Sequence, residues 1–302
     1  MADIIATVWD FDKTLISGYM QEPLFEDYKI EPKKFWEENN NRIKELEASG
    51  LYVNADTFYL NQILRYVREG KFKGLNNEKL KKYGQQQNFY PGVGDLFKTI
   101  SELSQEDKYR EHGIIFENYI VSSGLKKIIE GTSIMKYVKN VWGCEFAESE
   151  NEKGELEISD IAYSIDNTSK TRALFEINKG VNIKELNIDV NTAMPHEQRR
   201  IQFINMIYIA DGPSDIPAFS VVNKHGGATF AVYPTGNKNA FKQVEKMRKD
   251  GRIQMYAEAD YREDKTAYIW ILDKLKTQAE QVIENSRLAI QKLGKGTPIH
   301  LS

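Results

Sequence analysis

The stretch Ile4-Ile5-Ala6-Thr7-Val8-Trp9-Asp10-Phe11-Asp12-Lys13-Thr14-Leu15 decides how this chain is read. Its first half is a short apolar run with β-branched residues that ends abruptly in acidic ones. That pattern predicts a buried parallel strand whose carboxyl end delivers two carboxylates to a crevice. A core strand has no use for carboxylates there. If the strand persists, alternation turns Asp10 and Asp12 to one side, while Phe11 packs away and Thr14 begins a turn. Like charges that close repel, so a bound divalent cation or a shared proton must compensate them.

Two more apolar runs end in reactive side chains. Tyr119-Ile120-Val121 leads into Ser122-Ser123-Gly124 and a helix over 125–131. A hydroxyl followed by free amides at a helix start suits phosphate oxygens; Ser122 or Ser123 could serve, and a plain helix cap is the structural alternative. Met206-Ile207-Tyr208-Ile209-Ala210 leads into Asp211-Gly212-Pro213-Ser214-Asp215, where Gly and Pro permit a sharp turn that brings Asp211 toward Asp10. Ser214 or Asp215 is then placed to cap the next helix.

The remaining pattern is α/β. Residues 141–163 read as a β-hairpin on the sheet edge, and a helix follows, with Thr168 or Ser169 as cap and Gly180 as stop. Lys170 falls in that helix's first turn, where the dipole gains nothing from a cation, so the amine is wanted elsewhere; Arg172 and Lys179 are rivals. Residues 226–232 predict a fourth parallel strand, 237–250 a helix, 253–257 a last strand, and 266–293 a long, charge-laced helix. Residues 181–205 are polar and irregular and suggest no function. Between 16 and 88 the composition shifts to helix formers and large aromatics, among them Phe35-Trp36 and Phe58-Tyr59, which reads as a small helical insertion. For most of these aromatics the simplest role is the insertion's own core.

Asp10-Phe11-Asp12-Lys13-Thr14, Ser122, Lys170 and Asp211-Gly212-Pro213-Ser214-Asp215, in this order, resemble the four motifs of the haloacid dehalogenase superfamily of phosphohydrolases. The resemblance implies a doubly wound parallel, Rossmann-like sheet with a small helical cap domain inserted after the first strand. Residues 1–15 and 89–302 would form the catalytic core and 16–88 the cap. It further implies Asp10 as nucleophile and Asp12 as general acid and base. Phosphate would be held by the amides of Phe11 and Gly124 with Thr14, Ser122, Ser123 and Lys170. Mg2+ would lie on Asp10, Asp211 and the backbone carbonyl of Asp12, with Asp215 in support. A carboxyl at position 12 favours phosphate-ester chemistry, since the superfamily's dehalogenases have no leaving alcohol to protonate.

The motif order looks most like the phosphoserine phosphatase branch. Where those enzymes place a glutamate for the substrate amine, this chain has Tyr19, with Glu22 further on. Tyr19, Met20 and Glu22 are therefore the substrate-selecting candidates, and a sugar, nucleoside or alcohol phosphate is a better fit than phosphoserine. A catalytically weak phosphate-binding or scaffolding protein on the same fold is the alternative.

Composition sets the outer bounds. A chain of 302 residues is long enough to bury roughly 75% of its unfolded surface, and its single cysteine, Cys144, excludes an intrachain disulfide. A net charge of -3 offers no basic field for nucleic acid, and no apolar run approaches a membrane span; the partner that the resemblance implies is a small phosphorylated metabolite. The start, Met1-Ala2-Asp3-Ile4, lacks a basic leader, which leads to the expectation of a cytoplasmic protein. All four histidines lie away from the motifs.

Overall fold

The computed structural model describes residues 3–181 and 188–294. Its seven-stranded sheet has the order β4-β3-β2-β1-β5-β6-β7. The strands are β1 (Asp3–Trp9), β2 (Ile114–Leu125), β3 (Val138–Glu150), β4 (Leu156–Tyr163), β5 (Met206–Ala210), β6 (Ala228–Tyr233) and β7 (Met255–Glu258). All neighbours pair in parallel except β4, which runs antiparallel to β3. The chain steps outward from β1 through β2, β3 and β4, then returns across β1 to β5. Strand order thus reverses at β1, and a crevice opens at the carboxyl ends of β1, β2 and β5.

Helices cover both faces. Trp9 pairs with Ile120 and Ile209, and Ile209 with Phe230, so these residues share a face. On it, Trp9 packs on Phe97 of α5 (Val93–Leu103), and Phe230 stacks on Trp270 of α11 (Thr266–Gly294), with ring centroids 5.1 and 4.8 Å apart. Val8 and Tyr208 belong to the opposite face. There Tyr208 meets Phe219 of α9 (Ile216–Lys224), Trp142 donates to Glu176 of α8 (Lys170–Lys179), and Tyr256 contacts Phe241 of α10 (Lys238–Lys249). The long terminal helix is more than a charged rod: Ala267, Ile271, Leu275, Ala279 and Ile283 form its buried stripe.

Between β1 and α5 lie α1 (Glu22–Asp27), α2 (Pro32–Ala48), α3 (Tyr59–Arg68) and α4 (Asn77–Gly84), in keeping with the helix-forming composition of that segment. Phe25, Phe35, Tyr66 and Phe72 make their common core. Short helices α6 (Asp107–Arg110) and α7 (Lys126–Glu130) flank β2.

Two expectations need correction. The second strand is longer than its apolar run, continuing through Ser122-Ser123-Gly124 to Leu125, with a register shift between Val121 and Leu125. The hairpin stands on the sheet edge as expected, and the first half of β3 is in addition a parallel strand on β2. Neither Ser169 nor Asp215 caps its helix with its side chain. In the polar stretch 181–205, residues 182–187 lie outside the described residues, and the rest contains two short 3-10 turns, His196–Gln198 and Phe203–Asn205. Among the described residues no helix is long and apolar enough to cross a membrane.

Candidate active site

The first motif is built by a turn, not by strand alternation. β1 stops at Trp9, although the Asp10 amide still donates to the Ile209 carbonyl of β5 at 2.9 Å. The Phe11 carbonyl then accepts from the amides of Leu15 and Ile16 at 2.9 and 3.3 Å, and Lys13 takes a left-handed φ of 58°. This tight turn folds Thr14 back, so its hydroxyl donates to Asp10 Oδ2 at 3.0 Å. Asp12 thus lies beyond the strand, yet it borders the same cavity as Asp10. Its Oδ1 accepts from the Met20 amide at 2.9 Å, which aims it from the turn. Phe11 packs away as expected, fully buried and edge-on to Phe89.

Asp10 continues the Val8 and Tyr208 face, which α8 and α9 cover. That is why Lys170, the first residue of α8, reaches it. The Lys170 ammonium donates to Asp10 Oδ1 and Asp215 Oδ1, both at 2.7 Å, and the residue is only 1% exposed. Tyr208 donates to Asp215 Oδ1 at 2.6 Å and Ser214 to Asp215 Oδ2 at 2.8 Å, so Asp215 turns inward instead of capping α9. The rival cations are engaged elsewhere: Arg172 pairs with Glu176 at 2.8 Å, and Lys179 donates to the Thr192 carbonyl at 2.8 Å.

Electrostatics give this cluster its chemical meaning. Four carboxylates, of Asp10, Asp12, Asp211 and Asp215, share one buried ammonium. Burial, reinforced by Asp10, pushes Asp12 up to about 8; burial, with Asp10 and Asp215, pushes Asp211 up to about 7. Asp10 is also raised, chiefly by burial and against the pull of Lys170. Burial disfavours the Lys170 ammonium, but Asp10 and Asp215 outweigh it and hold the amine well above its ordinary value. Carboxylate oxygens of Asp10, Asp211 and Asp215 come within 4.8 Å of one another. An oxygen-only donor set with surplus negative charge fits a hard divalent cation such as Mg2+. The third clustered carboxylate is Asp215; the contribution expected of Asp12 is its backbone carbonyl, and its side chain is held by Met20.

The end of β2 faces Asp10. Ser122 is buried, and its Oγ accepts from the Gly124 amide at 3.0 Å, so that amide is occupied within the loop. Ser123 offers its carbonyl to the Tyr59 hydroxyl at 2.8 Å, and both serines border the same cavity. A side chain at Gly124 would collide with the Met20 thioether, 2.1 Å from an added Cβ. Met20 does not border the cavity. It is fully buried behind this loop, with its sulfur accepting from the Leu125 amide at 3.0 Å. Cys144 is buried nearby, and burial pushes its thiol up, away from thiolate reactivity.

Above these groups lies a cavity of about 530 Å³ bordered by Asp10, Asp12, Ser122, Ser123, Gly124, Lys170 and Asp211 below and by the helical insertion above. Tyr19 borders it too. Glu22 does not, because its Oε1 accepts from the Tyr19 amide at 3.2 Å and it faces an adjoining groove. Thr14 and Asp215 act from behind the wall. Several lining residues escape a reading of the sequence: Gln21, Trp36, Asn40, Asp56 and Tyr59 from the insertion, and Asn167. Trp36 and Tyr59 belong to the aromatic run of the insertion, but nothing local distinguishes them from their core neighbours.

No family model matches the chain. It is 38% identical over 288 residues to an uncharacterized protein of Borreliella burgdorferi, an alignment covering 90% of this chain and 97% of that one. Among solved structures it resembles a HAD-family hydrolase of Salmonella enterica serovar Typhi, with a TM-score of 0.51, 16% identity and coverage of 85% and 67% of the two chains. A phosphoserine phosphatase in apo form matches with a TM-score of 0.49 and 16% identity, covering 86% and 97%.

Proposed function

Because the chain belongs to one family with the Borreliella burgdorferi protein and is built on the fold of the haloacid dehalogenase hydrolases, we propose that it is a magnesium-dependent phosphomonoesterase acting on a small phosphorylated metabolite. The observation that carries this reading is the setting of Asp10. One of its oxygens is fixed by Thr14, the other by Lys170, and it borders a cavity that the insertion covers as a cap.

In this reading an Asp10 oxygen attacks phosphorus and the bond to the leaving alcohol breaks, giving an aspartyl-phosphate. Asp12, whose burial favours the protonated carboxyl, supplies the proton that the departing oxygen needs. Its carboxylate then takes a proton from the water that attacks the acyl-phosphate, which releases phosphate and restores Asp10. Ser122, Ser123 and Lys170 lie where they can hold phosphoryl oxygens. Asp10, Asp211 and Asp215 would hold the Mg2+, which supplies charge neutralisation in a reaction whose uncatalysed form is among the slowest known.

Turnover of an aryl phosphate tests this. It should vanish with chelator and return with Mg2+, and Asp10→Asn should lower it by at least about a thousandfold with the fold intact by circular dichroism. Asp12→Asn should let one phosphoryl group accumulate on the protein, seen by mass spectrometry. Undiminished turnover in Asp10→Asn would exclude the aspartyl-phosphate route.

A further inference from the structure

A hydroxyl stands in β5 where a core strand has no need of one. Met206-Ile207-Tyr208-Ile209-Ala210 is buried along its whole length, and Tyr208 carries the single hydroxyl in it. Phenylalanine would fill nearly the same space, and a buried hydroxyl costs stability unless it is bonded. Its bond goes to the site. Tyr208 donates to Asp215 Oδ1 at 2.6 Å, with its ring edge-on to Phe219 and 5.3 Å from it between centroids.

That bond bears on what Asp215 does. The residue immediately before a helix is where a carboxylate ordinarily caps, by accepting from the second or third amide. Asp215 stands there at the start of α9 and does not cap. Two features turn it inward. Pro217, at the second position of α9, has no amide to offer. Tyr208 and Lys170 both donate to Oδ1, at 2.6 and 2.7 Å, which engages both lone pairs of that oxygen. Oδ2 accepts from Ser214 at 2.8 Å and keeps a lone pair, on a carboxylate that belongs to the acidic cluster with Asp10 and Asp211. Lys170 in turn divides its ammonium between Asp215 and Asp10, each at 2.7 Å. Were Asp215 to swing to the amide of Ala218, Lys170 would close on Asp10 alone and hold that carboxylate in an undivided ion pair.

We propose that Tyr208 is a positioning residue of this site: from within the sheet, fully buried and out of reach of substrate, its hydroxyl keeps Asp215 off the end of α9 and on Lys170, so that the ammonium is shared between two carboxylates. The effect on turnover rests on the phosphomonoesterase reading, whereas the placement itself is a property of the unloaded protein.

The test is Tyr208→Phe, alone and combined with Asp215→Ala, each variant checked for fold by circular dichroism. Loss of one hydrogen bond to a charged group should lower kcat on an aryl phosphate by about tenfold or more, with KM changed by less than about threefold. In an Asp215→Ala background the same substitution should lower kcat no further, because the hydroxyl has nothing left to position. An unchanged kcat, or the same loss in both backgrounds, overturns the inference; equal losses would make Tyr208 a packing residue. A Tyr208→Phe protein that does not fold, beside an Asp215→Ala protein that does, overturns it too, since the hydroxyl would then serve the core and not Asp215. Calorimetric titration with Mg2+ alone reads the same placement without turnover. Affinity should fall by about threefold or more in Tyr208→Phe, and no further when that change is added to Asp215→Ala. Wild-type affinity in Tyr208→Phe defeats the role of Tyr208. A wild type that binds Mg2+ but turns nothing over defeats the phosphomonoesterase reading and leaves the titration to decide this one.

Discussion

Lys170 is the residue on which the buried charges depend. With Asp10 and Asp215 each 2.7 Å from its ammonium, it offsets part of an otherwise uncompensated negative cluster at the largely buried floor of the cavity. Removing one member of a buried pair leaves the other charged and unpaired, which typically costs about 3–5 kcal/mol. Lys170→Met should therefore lower stability by roughly that amount in urea denaturation. Asp215→Asn should cost less, because the amide still accepts from Lys170 and Tyr208. A loss below about 1 kcal/mol for Lys170→Met would mean that the carboxylates simply take up protons instead. Lys170 and Asp10 are both legible as reactive residues in the linear pattern, one a cation in a helix's first turn and the other an acid ending an apolar run. Asp215 is legible there only as a carboxylate near the site, since the Tyr208 hydroxyl that helps turn it inward lies on a strand whose facing direction the local sequence does not give.

At the scale of the element, α8 is started by a residue outside it. Asp166 Oδ1 accepts from the amides of Thr168 and Ser169 at 3.0 and 2.6 Å and from the Ser169 hydroxyl at 2.7 Å, doing for this helix what a capping side chain does. Its Oδ2 accepts from Asn54 of the insertion at 2.8 Å, so one carboxylate both opens the helix carrying Lys170 and ties it to the insertion. Asp166→Ala should cost about 1 kcal/mol. The Ser169 amide, first among the hydrogen bonds that favour its charged form, holds the Asp166 carboxyl below the usual carboxylate value of 3.8. Its contribution is therefore fully present above that value and disappears as pH falls through the lower, folded one. Melting temperatures of wild type and Asp166→Ala should differ at neutral pH and converge in strong acid; a gap that persists there would remove the ionised cap from the account. The sequence places the N-cap at Thr168 or Ser169, and the structure has it at Ser169, but only the folded loop shows that the oxygen the amides meet belongs to Asp166.

For the whole molecule, the question is what fixes the insertion over the sheet edge. Two glycines answer it on one side. An added Cβ at Gly84, the last residue of α4, would lie 2.1 Å from the Ile128 carbonyl of α7, and one at Gly131 would lie 1.7 Å from the Lys81 carbonyl of α4. Backbone therefore meets backbone, with no room for a methyl group. Gly131→Ala cannot be absorbed by a side-chain rotation; it must push α4 from the core, costing about 3 kcal/mol or more. Hydrogen exchange should rise across the insertion, and kcat/KM should fall with little change in the protection of β1 and β5. A variant with wild-type protection throughout would show that this contact does not position the insertion. On the other side the β3–β4 hairpin supports it, as Glu148 accepts from the Asn77 amide at 2.6 Å and the Leu75 carbonyl from the Ile158 amide at 2.9 Å.

By itself the sequence determined the sheet, its helices and the identity of the acidic strand ends, because strand burial, helix stops and turn residues are local properties that survive in a linear reading. It singled out Asp10 and Asp211 for the same reason, since each breaks the pattern of the element that carries it, and left Lys170 as one of three candidate cations. What only the tertiary structure decided is which side chains converge. Tight turning after Trp9 folded the Thr14 hydroxyl back onto Asp10, packing withdrew Met20 and Glu22 from the cavity, and the fold brought Gln21, Trp36, Asp56 and Asn167 to it from separate segments. Convergence depends on distances between elements far apart in the chain, and no spacing along the chain encodes those.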